Sequence, residues 1–213
     1  ELLRIMNSTN GIITVFAGSA SRPFAQKMCD YLGVELGKST THIFSEGGIY
    51  VRADESIRNK DVYIVQSIGK DPNNAFTELI FWIDAFKRAS ANSITAIIPY
   101  FGYAKADKKD EPRVSIRARV CADCIEMCGA DRVVTMDLHA AQVQGFFSKP
   151  VDHLYASALL CEYARHLGIV NENLVVVSPD AGSAKRARAY ANILGCNVAI
   201  GDKVRIGHDE NPN

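Results

Sequence analysis

The sequence predicts an α/β fold in which a parallel sheet is covered by helices on both faces. Short β-branched apolar runs alternate along the chain with longer segments whose apolar residues recur at helical spacing. The short runs are apolar almost throughout, as expected for strands that are buried on both faces. The chain has 213 residues, of which 47% are hydrophobic and 23% are charged. This length and hydrophobic content are enough to build a substantial core.

The elements follow from these patterns in chain order. The strands are predicted at residues 12–16, 61–65, 94–98, 132–136, 174–177 and 197–200. Pro99 ends the third strand. The helices are predicted at residues 22–32, 74–89, 114–128, 156–167 and 183–194. The second helix carries the longest apolar stripe, which consists of Phe76, Leu79, Ile80, Ile83 and Phe86.

A short internal repeat suggests two related units. Ala17–Ala20 and Ala181–Ala184 have the same sequence, and each follows a predicted strand and opens a predicted helix that ends at a glycine. We therefore expect an amino-terminal domain at residues 1–150 and the start of a second domain at residues 151–213. The second domain has too few strands for an independent sheet, so we expect the natural protein to continue beyond Asn213.

Composition limits the kinds of partner. The 24 Lys and Arg residues balance the 24 Asp and Glu residues, so no global field favours nucleic acid or an anionic membrane. No apolar stretch approaches the roughly 20 residues of a membrane span, and the first residues lack a signal-peptide pattern. Cys121, Cys124 and Cys128 lie on one helical face with Ile125, which favours core packing of thiols over a zinc site. These features predict a cytoplasmic protein without nucleic-acid or membrane partners.

The most informative segment is Asp137–Leu138–His139, directly after the strand predicted at 132–136. A period-2 backbone would place the carboxylate and the imidazole on one face at the carboxyl end of the strand. That edge of an open α/β sheet is where ligands bind. The alternative is structural, with Asp137 capping the next helix and His139 bonded into a turn.

Three further segments carry candidate groups for an anionic substrate. Asp180 follows the strand at 174–177 and could hold a hard cation, or it could simply cap the next helix. The charged run 105–113 could bind phosphates or be a solvated loop, and Lys203 and Arg205 could reach one anion from an extended segment. His139 and Asp180 around a divalent ion, with basic loops nearby, would suit phosphoryl or pyrophosphoryl transfer. No P-loop motif is present.

Taken together, these segments resemble the ribose-phosphate pyrophosphokinase family. The segments that carry the resemblance are Phe44–Gly48, Asp61–Ser67, Tyr103–Asp110, Thr135–Ala140, Gln144–Phe147, Val177–Gly182 and Lys203–Arg205. The resemblance implies a phosphoribosyltransferase-like fold of two related domains. It also implies a Mg²⁺-dependent diphosphokinase that transfers the diphosphoryl group of ATP to ribose 5-phosphate, giving phosphoribosyl pyrophosphate and AMP for nucleotide biosynthesis.

The resemblance also implies roles for individual residues. Lys203, Arg205 and His139 would be catalytic, with the two cations on a mobile loop that closes over the transferring group. His139, Asp180 and Asp137 would hold the metal. The residues matching the ATP-binding positions are Phe44, Glu46, Gly48, Lys105, Ala106 and Asp110, with the first three supplied by a neighbouring subunit. A regulatory site for phosphate or ADP at a subunit boundary would use Ser56, Arg58, Lys109, Arg113, Gln144 and Asp152. Family members form hexamers built from dimers.

Three positions depart from the family pattern. Gly48 stands where Glu is usual, and Lys105–Ala106 stands where Arg-Gln is usual. Lys keeps the charge but loses the bidentate fork of Arg, so nucleotide affinity or base choice is expected to differ. The departures leave open a catalytically weak partner that regulates paralogous synthetase subunits. The fold leaves open a second alternative, a phosphoribosyltransferase that consumes the activated sugar.

Overall fold

The computed structural model describes residues 13–202, which form two compact units that divide after Leu154. The strands of the first unit are β1 (Ile13–Ala17), β2 (Ser39–Ile43), β3 (Ile49–Ala53), β4 (Asp61–Val65), β5 (Ser93–Ile98), β6 (Arg132–Met136) and β7 (Val151–Leu154). Its helices are α1 (Arg22–Leu32), α2 (Pro72–Arg88) and α3 (Arg117–Cys128). Five of the strands form an all-parallel sheet in the order β1-β4-β5-β6-β7.

Helices cover both faces of this sheet, which confirms the predicted fold class. On one face, Val62, Ile64, Ala96 and Val133 of the sheet belong to a single buried cluster with residues of α2 and α3. Helix α2 contributes Leu79, Trp82, Ile83 and Phe86, all fully buried, and Phe16 of β1 packs against the last of them at a ring-centroid distance of 4.9 Å. On the other face, Ala25 and Cys29 of α1 pack against Val15, Ala17 and Val65.

Two helix starts differ from the prediction by more than one residue. Helix α2 begins at Pro72 rather than residue 74, because Asp71 caps it by accepting a hydrogen bond from the Asn74 N–H. Helix α3 begins at Arg117 rather than residue 114. Arg113 has a left-handed φ of 67°, and Ile116 is the non-helical residue before the helix, so the chain cannot enter the helix earlier.

Sequence patterns missed three strands. Strands β2 and β3 form a separate antiparallel hairpin that packs on α2. Ser39–Ile43 is too polar to be recognised as a strand. Strand β7 follows Pro150 at the predicted seam between domains, yet it pairs with β6 and belongs to the first sheet. The division between the units therefore falls after Leu154, a few residues beyond that seam.

A buried carboxylate ties the loop after β1 to α2. Glu78 of α2 is 3% exposed, and its oxygens accept hydrogen bonds from the Ser19 N–H (2.9 Å), Gln66 Nε2 (3.0 Å) and Trp82 Nε1–H (3.3 Å). The Ser19 hydroxyl also donates to this carboxylate. Because each donor belongs to a different part of the unit, Glu78 fixes the carboxyl ends of β1 and β4 relative to the helix.

The second unit contains two parallel strands, β8 (Val175–Ser178) and β9 (Asn197–Ile200), and two helices, α4 (Ser157–His166) and α5 (Ala184–Leu194). The internal repeat is present in the structure as well as in the sequence. In both copies a strand, the small-residue segment and a helix follow in order, and the helices end at Gly33 and Gly195 in the left-handed conformation.

The six cysteines are free thiols, and Cys29, Cys121 and Cys161 are buried. Cys121 belongs to the main core with Ile125, and Cys128 packs against it, in agreement with the predicted apolar face. Within residues 13–202, none of the helices has the length and apolar content needed to cross a membrane.

Candidate active site

The turn after β6 presents Asp137 and His139 to solvent on either side of a buried residue. Strand β6 ends at Met136, and Leu138 is 6% exposed while both of its neighbours are exposed. Asp137 has a φ of 45°, a left-handed conformation that costs roughly 1–3 kcal/mol in a residue other than glycine. The extended backbone assumed for the predicted shared face stops at Met136, yet both side chains are exposed and Leu138 between them is buried. Burial of Leu138 in the main cluster is what turns its two neighbours outward.

Two consecutive backbone N–H groups of this turn donate hydrogen bonds to strand β7. The Asp137 N–H donates to the Leu154 carbonyl at 3.0 Å, and the Leu138 N–H donates to Nε2 of His153 at 2.9 Å. Burial lowers the pKa of His153, and the nearby Asp137 carboxylate opposes this shift. The sequence patterns do not single out His153, because it lies in a strand that they do not predict.

The hairpin tip carries three of the predicted ATP-binding positions. The Phe44 N–H donates to the Gly48 carbonyl at 2.8 Å, and the Gly47 N–H donates back to the Phe44 carbonyl at 2.9 Å. Phe44, which is 44% exposed, makes edge contacts with the rings of His42 and Tyr50. This cluster offers an exposed aromatic surface, with Glu46 exposed beside it.

The loop after β5 carries the other predicted ATP-binding positions. Lys105 and Asp110 are exposed. Ala106 is partly buried, and its carbonyl accepts a hydrogen bond from the Ala118 N–H at the start of α3. Tyr103 fixes the beginning of this loop through a hydrogen bond from its hydroxyl to Asn73. Since β5 and β6 are adjacent and parallel, this loop and the Asp137–His139 turn leave the sheet at the same edge.

In the second unit, Asp180 caps the segment that follows it, which is one of the two roles predicted for this residue. It follows β8, and its Oδ1 accepts from the Ser183 N–H at 2.8 Å. Its carbonyl accepts from the Ser178 hydroxyl at 2.7 Å. A carboxylate has about four lone-pair sites, so capping and cation binding are compatible at this residue.

The first unit separates the predicted regulatory residues. Ser56 and Arg58 lie in the loop that leads into β4, at the amino edge of the sheet. Lys109 and Arg113 lie in the loop that leaves β5 at the carboxyl edge. The structure thus assigns the two pairs to loops at opposite edges of the sheet.

The other two predicted regulatory residues already have partners. Asp152 of β7 pairs with Arg132 of β6 at 2.7 Å. Gln144 Nε2 donates to the Ala141 carbonyl at 2.8 Å within a 3₁₀ turn. Lys203 and Arg205, the predicted catalytic cations, lie outside the described residues.

The donor set of the first unit suits Mg²⁺. Among residues 13–202 there is no group of three or more His, Cys, Asp or Glu side chains arranged to hold a metal ion. Mg²⁺ does not require such a cage, because it usually keeps several waters and takes one or two carboxylates together with substrate phosphates. The exposed Asp137 carboxylate meets that requirement.

Comparison with known protein families agrees with these features. Residues 13–129 match a family model described as the N-terminal domain of ribose phosphate pyrophosphokinase. This chain belongs to the ribose-phosphate pyrophosphokinase family. The matched region contains the parallel strands β1, β4 and β5 and the hairpin.

Individual relatives extend the match over most of the chain. It is 47% identical over 205 residues to the ribose-phosphate pyrophosphokinase of Deinococcus radiodurans and 49% identical over 205 residues to that of Porphyromonas gingivalis. Each alignment covers 96% of this chain and 64% of the relative. The crystal structure of phosphoribosylpyrophosphate synthetase from Mycobacterium smegmatis superposes with a TM-score of 0.85 at 42% identity, covering 91% of this chain and 65% of that one. The chain thus spans a little under two thirds of the length of these relatives.

Proposed function

We propose that the protein is a ribose-phosphate diphosphokinase, which transfers the diphosphoryl group of ATP to ribose 5-phosphate. The products are phosphoribosyl pyrophosphate and AMP, and the product sugar serves nucleotide biosynthesis. The observation that carries this proposal is the Asp137–Leu138–His139 turn at the carboxyl end of β6, in a chain whose relatives are named ribose-phosphate pyrophosphokinase.

The reaction joins O1 of ribose 5-phosphate to the β-phosphorus of ATP and breaks the bond between that phosphorus and the bridging oxygen retained by AMP. The protein takes little part in the covalent chemistry, so catalysis consists mainly of positioning the substrates and neutralising their charge. Bound Mg²⁺ would neutralise negative charge on the phosphates. We propose that Asp137 and His139 hold it from the first unit, and that Asp180 is a candidate ligand in the second.

The exposed groups of the first unit suit a nucleotide. The ring of Phe44 offers a stacking surface for adenine, Glu46 offers a carboxylate to the base, and Lys105 offers a cation to the phosphates. Asp110, Ala106 and Gly48 are the remaining candidate contacts. Lys203 and Arg205 would stabilise charge on the diphosphoryl group in the transition state.

Assembly and control are part of the same proposal. We propose a homo-oligomer, a hexamer built from dimers in the full-length protein, with Phe44, Glu46 and Gly48 serving a neighbouring subunit. A phosphate or ADP site shared between subunits would use Ser56, Arg58, Lys109, Arg113, Gln144 and Asp152. The free state of all six cysteines supports a reducing location such as the cytoplasm.

The deciding experiment measures AMP release by the full-length natural protein from ATP, ribose 5-phosphate and Mg²⁺. Wild type is expected to release AMP, and His139→Ala is expected to lose most of this activity. The matched control is His166→Ala, which removes an exposed histidine at the end of α4. Complete absence of AMP from the wild-type protein would refute the proposal.

A further inference from the structure

The side chains of Asp137 and His139 are exposed, so the turn that carries them must be held by contacts of its main chain and of Leu138. Asp137 is in a left-handed conformation, which is uncommon outside glycine although Asp adopts it more readily than most residues. The burial of Leu138 anchors the centre of the turn, but a side chain alone does not fix the direction of the peptide planes around it. Those planes are fixed by the two hydrogen bonds that cross to β7.

Of these two bonds, only one depends on a side chain. The Asp137 N–H donates to a backbone carbonyl, which any sequence would supply. The Leu138 N–H instead donates to the imidazole of His153 at 2.9 Å. His153 lies on β7 directly opposite Thr135 in the parallel register, so its ring can reach past the end of β6. For Nε2 to accept this bond, the ring must be neutral with its proton on Nδ1.

We propose that His153 is a positioning residue: its Nε2 holds the Leu138 main chain and thereby fixes where the Asp137 carboxylate and the His139 imidazole point. The peptide N–H that it accepts from lies between the two exposed residues, so a shift at Leu138 moves both. Side chains that orient ligating groups typically contribute 10–100-fold to metal affinity or activity. The metal-binding role of the turn is taken from the proposed function; the hydrogen bond itself is independent of it.

Two substitutions separate positioning from simple packing. In His153→Gln, the amide oxygen reaches about as far as Nε2 and can accept from the Leu138 N–H. In His153→Leu, a similar volume is kept without an acceptor. The matched control is Ser93→Ala, which removes a hydrogen bond of 2.7 Å to Asp61 at the opposite edge of the same sheet. If His153→Leu does not fold, His153→Asn replaces it, because its side chain is too short to reach Leu138.

The first readout does not depend on activity. Amide hydrogen exchange in the full-length protein should show a protected Leu138 N–H in wild type and in His153→Gln, and at least tenfold faster exchange in His153→Leu. Binding of Mn²⁺, followed by broadening of the His139 ring resonances, should weaken 10–100-fold in His153→Leu and less than threefold in His153→Gln and Ser93→Ala. Unchanged Leu138 exchange in His153→Leu would overturn the inference, as would absence of Mn²⁺ broadening in wild type.

The second readout is kinetic. The Mg²⁺ concentration for half-maximal AMP release should rise 10–100-fold in His153→Leu, while the KM for ATP changes less than threefold. Equal impairment of His153→Gln and His153→Leu would overturn the positioning role. If wild type releases no AMP but the Mn²⁺ and exchange results are as expected, the proposed activity fails and the positioning role stands.

Discussion

At the scale of single residues, Gly48 stands where the resemblance to the family implies a glutamate, and the backbone at this position can carry a side chain. Gly48 does not have a positive φ, and a Cβ there would meet nothing closer than Glu46 Oε1 at 3.4 Å. Its neighbour Gly47, with a φ of 88°, could not be replaced without strain.

We therefore expect Gly48→Glu to fold normally and to lower the KM for ATP by about two- to tenfold, since one regained hydrogen bond contributes roughly 0.5–1.5 kcal/mol. Steady-state kinetics of the full-length protein measure this change. Gly48→Ala is the control, because it fills the same space without a carboxylate. An equal effect of Ala and Glu would show that the carboxylate makes no contact with the nucleotide.

Burial lowers the reactivity of the Cys121 thiol. Burial raises the pKa of its thiol from 9.0 to about 12, with a smaller contribution from Cys124. Near pH 8 the thiolate fraction is then roughly a thousand-fold lower than for an ordinary cysteine. Peptide mapping after brief iodoacetamide treatment of the native protein should find Cys121 unlabelled, and labelled once the protein is unfolded in urea. Rapid native labelling would contradict the buried position on α3.

At the scale of elements, Glu78 links α2 to the ends of β1 and β4. Replacing it with Leu would leave the Ser19 N–H and the Trp82 N–H without their acceptor and would remove one of the two acceptors of the Gln66 amide, which keeps the Ala75 carbonyl. Each unsatisfied buried donor costs about 1–3 kcal/mol, so Glu78→Leu should lower the free energy of unfolding by roughly 3–5 kcal/mol. Urea denaturation measures the loss. Glu46→Leu at the exposed hairpin tip is the control and should change stability by less than about 0.5 kcal/mol.

At the scale of the whole molecule, the two units differ in how much core they possess. Among residues 13–202, the first unit has a five-stranded sheet and two buried clusters, whereas the second has a two-stranded sheet with Cys161, Ser178, Ala187 and Ala191 buried. A two-stranded sheet is marginal by itself. We expect an excised fragment 1–154 to unfold cooperatively, and a fragment 155–213 to show little secondary structure by circular dichroism. A cooperative transition in the shorter fragment would contradict this reading.

The sequence by itself determined the layered α/β architecture, because apolar strands and amphipathic helices are local patterns with distinct periods. Strands β4, β6 and β9 begin and end where those patterns predicted. It also determined that Asp137 and His139 follow β6 and that Asp180 follows β8, since strand ends are visible as the ends of apolar runs.

Only the tertiary structure decided how these groups are held. The left-handed turn at Asp137 exists because Leu138 is buried and because β7 supplies acceptors, and β7 is too short and polar to be recognised locally. The hairpin β2–β3 likewise packs on α2, which is distant from it in sequence. The reason is physical: a pairing partner distant in sequence contributes nothing to the local pattern, yet it determines the direction of each side chain at the site.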